Sequence, residues 1–355
     1  MNGCVALVRL SALGDVVHTW PLAVALKEQE PRRRLLWVVE EPLLPLVASH
    51  PAVDRALAVR TRRWRRKPFS PRTLAALRAV ARALREEGVE TCIDPQGVAK
   101  SALVTRLSGA PRRLGIARPH RRELLAGMAY TGTVAIPEGA RHVVAWNLAF
   151  AAALGAAVPD PPPAPDGRWL LGPDPPPRDD RLAVLLPGAG HPAKVLDEET
   201  LAEVARTLAG HGLRVLVAWG PGERERAEGV ARGGHAELAP PTSLPELARL
   251  LGRAALVVGG DTGPVHLAAS LGTPTVGVHL VTDPVRNRPL GPSVAVISAA
   301  APGRGRRASA RTRPLRRPGP VEIAEAALGL LRGRTGKGGT ADATMTGEVP
   351  KETDG

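Results

Sequence analysis

Aromatic side chains are scarce in this 355-residue chain: two Phe, one Tyr and six Trp, 3% of the total. Its cores must therefore rest on Ala, Val and Leu. Cysteine is scarcer still. Cys4 and Cys92 stand in apolar, strand-like runs with no CxxC spacing and no Cys/His partner at metal spacing. That argues against a disulfide framework and for a reducing, cytoplasmic setting. No apolar run reaches the roughly 18 residues of a membrane span. The first residues lack the basic start and long apolar stretch of a signal peptide. Any membrane association is therefore expected to be peripheral.

Acidic residues are outnumbered, 34 Asp and Glu against 48 Lys and Arg, a formal charge of +14. Much of the excess lies in RTRRWRRK at 60–67 and GRGRRASARTRPLRR at 303–317. Such patches suit a small anionic ligand, an anionic membrane surface or a nucleic acid. The length suggests about two domains.

Apolar strand-like runs alternate with helical patterns from the first residues. CVALVR reads as a strand, Val16 to Lys27 as a helix, LLWVVE as a strand, then a short apolar helix to about Ser49. ALAVR, a helix opening at Ser70-Pro71, VETCID, GVAKSALVTRLSG and RHVVAWNLAFAAALG complete a first half. The Pro-rich stretch PDPPPAPDGRWLLGPDPPPRDD then forbids helix and central strand alike. We expect domains at 1–158 and 181–333, a linker at 159–180 and a disordered polar tail at 334–355. The second half restarts with LAVLLP, RVLVAWG, ALVVGG, TPTVGVH and SVAVIS as strands.

Two junctions match across the halves. CVALVRLSALGD and AALVVGGD each end a strand in Gly-Asp and open a helix, placing Asp15 and Asp261 at a sheet edge. Ligands of open α/β sheets bind at that edge. Two Rossmann-like domains with parallel sheets facing across a cleft are therefore expected. Gly14 lets the chain turn beside a ligand, and Asp15 is placed to take a proton from an attacking hydroxyl. His18 follows one turn later. Asp261-Thr262-Gly263-Pro264-Val265-His266 suits a diphosphate held by free amides at a helix start. Gly188-Ala189-Gly190 with Lys194 can cradle a phosphate, and Glu223 can accept from ribose hydroxyls. Gln96, in Asp94-Pro95-Gln96-Gly97, follows a strand of the first half. Guanidiniums at 60–67, with Arg121 and Arg122, match phosphates or carboxylates. Each feature also has a plainer reading: helix caps for Asp15 and Asp261, a packed histidine for His18, solvated charge for Lys194 and the arginines.

Taken together, SALGDVVHTWP, LLWVVEE, VRTRRWRRKPFS, IDPQGVAKSALVTRL, RRELLAG, LVAWGPGERERA, VVGGDTGPVHLAA and TDP at 282–284 resemble glycosyltransferase family 9, the bacterial heptosyltransferases of lipopolysaccharide inner-core synthesis. The resemblance implies a GT-B fold and inverting transfer of heptose from ADP-heptose to a Kdo-type inner-core acceptor. By analogy Asp15 is the general base. Lys194, Thr262 and Gly263 hold the diphosphate, Glu223 meets the ribose, and Asp261, His266 and the 188–190 loop line the donor site. Arg62, Arg63, Arg66, Arg122, Gln96, Gly14 and His18 would face the anionic glycolipid acceptor. It further implies no metal or other cofactor, no nucleic-acid partner and a peripheral place on the cytoplasmic face of the inner membrane. Lys194 is followed by Val195-Leu196-Asp197, a departure from the family's K-x-W-P continuation. A dinucleotide dehydrogenase would need G-x-G-x-x-G after the first strand, and RLSALGD does not supply it. A non-enzymatic nucleic-acid or membrane-surface binder would explain the charge but not the paired Asp junctions.

Overall fold

The computed structural model describes residues 3–299 and 316–335. Most of the Arg/Pro-rich 303–318 stretch and nearly all of the expected tail at 334–355 lie outside the described residues. The chain forms two compact units that divide between Pro173 and Asp174.

In the first unit, β1 (Cys4–Val8) leads to α1 (Leu13–Val17), α2 (Trp20–Gln29), β2 (Arg34–Glu40) and β3 (Arg55–Val59). Then follow α3 (Thr61–Arg66), α4 (Pro71–Glu86), β4 (Val89–Asp94), α5 (Ala99–Leu107), β5 (Arg112–Ile116), β6 (Gly132–Val134) and α6 (Val143–Ala152). The strands form one parallel sheet in the order β3-β2-β1-β4-β5-β6. Every residue of β1 is buried, as expected of a parallel strand covered on both faces. Trp20, Trp37 and Phe150 are the bulkiest fully buried side chains, and Trp20 Nε1 donates to the Leu46 carbonyl at 2.9 Å. They compensate for a core otherwise built from Ala, Val and Leu.

The second unit runs β7 (Asp179–Leu186), α7 (Glu198–Gly210), β8 (Arg214–Val217), α8 (Arg224–Gly234), β9 (Glu237–Leu238) and α9 (Leu244–Arg253). It continues through β10 (Ala254–Gly260), α10 (Gly263–Ser270), β11 (Thr275–His279), α11 (Pro284–Asn287), β12 (Val294–Ser298) and α12 (Pro320–Thr335). Its parallel order, β12-β11-β10-β7-β8-β9, repeats that of the first unit. In both sheets the order reverses beside the first strand, between β1 and β4 and between β7 and β10. Crevices at such points lie outside the strands' carboxyl ends.

Local structure departs from expectation in a few places. The helix expected over Val16 to Lys27 starts earlier and breaks at His18-Thr19, because Pro21 in the first turn of α2 has no N–H to continue the ladder. The apolar segment before Ser49 is a 3-10 turn at Glu41–Leu46, shortened by Pro42 and Pro45. The basic 60–67 segment is helical. It forms α3, anchored by buried Trp64 while Arg62, Arg63, Arg65 and Arg66 point outward. Strands β5, β6 and β9 were not expected; they are short, and Arg112-Arg113, Thr133 and Glu237 leave them no apolar run. Within 159–180, Arg168–Leu171 form a 3-10 turn whose Trp169 packs edge-on against Trp20 and His50.

Candidate functional site

The second unit gathers a buried polar cluster at its switch point. Asp261 follows β10 directly and its side chain is 5% exposed. Lys194, on the loop after β7, donates from Nζ to Asp261 Oδ2 at 2.6 Å. Thr282 Oγ1 donates to the same oxygen at 2.7 Å, and His266 Nε2 lies 3.1 Å from Oδ1. Burial by itself would raise the Asp261 carboxyl, but the His266 bond and the surrounding positive charge outweigh it and hold the group well below the usual carboxylate range. Behind this layer, His279 Nδ1 lies 3.2 Å from Thr282 Oγ1. Burial pushes His279 down to about 4, so it is neutral near pH 7. Asp261 is thus an ionised group clamped from three sides, and it fixes where the Lys194 ammonium stands.

Thr262 is the N-cap of α10, with extended backbone. Its Oγ1 is buried and has no hydrogen-bond partner among the described residues. Pro264 lies in the first turn, so the amides of Thr262 and Gly263 are the ones free to meet an anion at this helix start. His266 lies one turn further and points back to Asp261.

The expected 188–190 loop also reaches this edge. Glu223 stands at the N-cap position of α8, and its Oε2 turns back to accept from the Gly220 amide at 2.8 Å. The same carboxylate lies against Gly188, where a Cβ would fall 1.9 Å from Glu223 Cδ. A side chain at 188 would make the Glu223 carboxylate swing aside. Ala189 is half-buried and Gly190 exposed. The departure after Lys194 has a structural answer. Leu196 is buried in the core of the unit, and Asp197, at the N-cap position of α7, pairs with Arg317.

In the first unit the switch point holds Asp15, Ser11, Gln96 and Lys100. Asp15 is the third residue of α1 rather than its N-cap, which is Ala12; its Oδ2 reaches back to accept from the Ala12 amide at 3.2 Å. Gly14 is buried in the same short helix. Gln96 Oε1 accepts from the Leu10 amide at 2.9 Å and ties the loop after β4 to the loop after β1. Lys100 Nζ donates to Ser11 Oγ at 2.7 Å and stands 3.7 Å from Glu40 Oε1. Burial lowers the Lys100 ammonium; Glu40 opposes that, while Arg62 and Arg122 lower it further. Arg62 and Arg122 therefore bear on the same spot as Lys100. Arg63 and Arg66 are exposed on α3. His18 is buried, its ring edge-on to His142 at 5.3 Å between centroids.

Pattern reading missed three supports of this edge. Glu40, at the end of β2, accepts from the Thr61 amide at 3.2 Å and from the Thr61 hydroxyl, which pins the start of the basic helix. Lys100 was visible in DPQGVAKS, but nothing in the spacing showed its reach to Ser11. Arg9 is buried directly after β1; its Nε donates to Thr19 Oγ1 at 3.1 Å and its NH2 to Asn147 Oδ1 at 2.7 Å. Thr19 Oγ1 in turn donates to the Asp15 carbonyl at 2.7 Å. This chain of bonds fastens the Asp15 helix to α6. Among the described residues, no group of three or more His, Cys, Asp or Glu side chains is placed to hold a metal ion.

Comparison with known proteins bears on both edges. Residues 77–312 match the family model for glycosyltransferase family 9 (heptosyltransferase). Lipopolysaccharide heptosyltransferase 1 of Escherichia coli (strain K12) is 35% identical over 287 residues, 79% of this chain and 88% of that relative. The protein of the same name from Pseudomonas aeruginosa is 34% identical, covering 79% of each chain. Among solved structures, the E. coli heptosyltransferase WaaC with ADP is 34% identical, with a TM-score of 0.74 over 83% of this chain and 93% of that one. WaaC has also been solved with ADP-2-deoxy-2-fluoro heptose, at a TM-score of 0.72 and the same coverage. Two Rossmann-like units of like strand order, a family model matching most of the chain and relatives above 30% identity converge on a GT-B glycosyltransferase. The chain belongs to glycosyltransferase family 9.

Proposed function

We propose that this chain is an inverting heptosyltransferase that moves heptose from ADP-heptose to a Kdo-type sugar of the lipopolysaccharide inner core. One observation carries the reading. The second unit holds a clamped Lys194–Asp261 pair beside the unpartnered Thr262 hydroxyl and a free helix start, in a chain 34% identical to a transferase solved with ADP and with an ADP-heptose analogue. A pyrophosphate needs positive charge and aligned N–H donors, and that edge offers both.

The labour divides between the units. On the first, Asp15 takes the proton of the acceptor hydroxyl, whose oxygen then forms a bond to the anomeric carbon. The bond from that carbon to the ADP oxygen breaks, the electron pair leaves with ADP, and the configuration inverts. On the second, Lys194 and the amides of Thr262 and Gly263 stabilise the charge growing on the departing diphosphate. Glu223 faces the ribose, and Gly188, Ala189 and Gly190 let the backbone come close. Arg62, Arg63, Arg66 and Arg122, with Lys100, meet the acceptor's carboxylates and phosphates. Gln96 keeps the acceptor-side loop in register. The enzyme works in the cytoplasm, peripheral to the inner membrane, and needs no cofactor.

The test is a panel of nucleotide sugars ranked by thermal stabilisation of the purified protein, followed by transfer assays on Asp15→Ala. ADP-heptose should stabilise most, and Asp15→Ala should abolish transfer while keeping that stabilisation. A stronger response to a uridine or guanosine sugar would overturn the donor, and near-normal turnover of the variant would overturn the base.

A further inference from the structure

The first unit exposes apolar side chains that the proposed transfer does not use. Leu124, Leu125 and Met128, on the 3-10 turn Leu124–Ala129, are 62%, 74% and 82% exposed. The turn is not loose. Ala126 and Ala129 are buried against Ala102 of α5, with Tyr130 packed on the cluster, so the three large side chains are held outward. Leu103, 42% exposed, projects from α5 beside Ala102, and exposed Arg106 follows three residues later on the same helix face.

Charge around this ridge has one sign. The segment 99–130 carries seven basic residues and one acid, Glu123. Glu123 is exposed, but its Oε2 is engaged by the Ala99 amide at 2.8 Å at the start of α5. Arg118 and Arg122 are exposed just before the turn. Arg121 is fixed in place, its Nε donating to the Ile116 carbonyl at 3.0 Å and its guanidinium 5.5 Å from the Tyr130 ring centre. The turn runs back from the carboxyl edge, where the Glu123 amide donates to the Gly97 carbonyl, to the start of β5, where Arg113 Nε donates to the Ala129 carbonyl.

From these observations we infer that the Leu124–Leu125–Met128 ridge is where the protein docks on an anionic lipid bilayer. The apolar tips enter the headgroup boundary, and Arg106, Arg118 and Arg121 meet lipid phosphates. Apolar area combined with surrounding cations is the pairing that drives reversible interfacial binding. Solvent-facing Leu and Met on a packed turn have no role in holding the unit together. The inference deepens the transferase reading, whose acceptor is a glycolipid, but the surface stands on exposure and charge alone.

The experiment uses the full chain and vesicles that contain no glycolipid acceptor. Co-sedimentation is measured on phosphatidylcholine alone and on phosphatidylcholine with phosphatidylglycerol. The wild type should bind the anionic vesicles, and salt should weaken binding. The double variant Leu125→Asp/Met128→Asp should lower partitioning at least about tenfold. Arg118→Glu should lower it several-fold. Both should keep the thermal shift given by ADP, which shows that they fold and separates failure of docking from failure of the transferase reading. Equal binding by the double variant, or no binding by the wild type, overturns the inference. So does loss of a dimer in light scattering without any lipid effect, since the ridge would then join two copies.

Discussion

Replacing Lys194 by Ala tests whether the ion pair with Asp261 is scaffold or donor site. The change removes a 2.6 Å charge-assisted bond to a carboxylate that is 5% exposed. Breaking a fully buried pair from one side costs about 3–5 kcal/mol. Here Lys194 keeps 23% of its side-chain surface in solvent, and Asp261 retains Thr282 and His266. The expected loss is therefore smaller, about 1–2 kcal/mol, or roughly 2–8 °C in melting temperature for a domain of this size. The second effect is the informative one. ADP at about 100 times its Kd stabilises a protein by about 2.7 kcal/mol. Loss of a lysine–phosphate contact costs about 1.5–3 kcal/mol, which at its upper end weakens Kd about 100-fold. The same ADP concentration would then stabilise the variant by only about 0.4 kcal/mol. Melting curves with and without ADP measure both quantities. A variant that melts lower yet shows the full ADP shift would refute the donor role and leave Lys194 as a structural partner of Asp261.

Other expectations follow from the geometry. Thr19→Val cuts the link from Arg9 through Thr19 to the Asp15 carbonyl; kcat should fall about tenfold or more, with the ADP shift unchanged, and an unaltered kcat would separate that chain of bonds from the base. Arg62→Ala/Arg122→Ala should raise KM for the acceptor and leave KM for the donor alone; a change confined to the donor would reassign both residues. Acid should destabilise the fold early. Burial lowers His50 and His279 from 6.5 to about 4, so between those values the unfolded chain binds protons that the folded chain refuses. Stability present at pH 7 should fall as pH drops through that window, by on the order of 2–3 kcal/mol for each group. Urea unfolding at pH 7, 6 and 5 would show it, and a flat profile would remove both histidines from the account.

The fold was legible because parallel strands buried on both faces read as apolar runs, as CVALV and AALVVGG do. Junction residues were legible because Gly-Asp at the end of such a run has few other uses. What stayed hidden depends on distance in sequence. Glu40 and Thr61 meet across 21 residues, Lys100 and Ser11 across 89, and Arg9 and Asn147 across 138. No local pattern encodes such encounters. Trp64 was hidden for another reason. In RTRRWRRK the charge dominates, yet the single apolar residue decides that the segment docks as a helix and aims its arginines outward.

The contact between Gly188 and the Glu223 carboxylate couples two positions far apart in sequence. A side chain at 188 would displace the acid at 223, and shortening that acid alone would leave the Gly220 amide without its acceptor. Libraries that vary position 188 in isolation will keep only those variants in which the Glu223 side chain can swing aside. Those that vary the two jointly start from a geometry the backbone already tolerates.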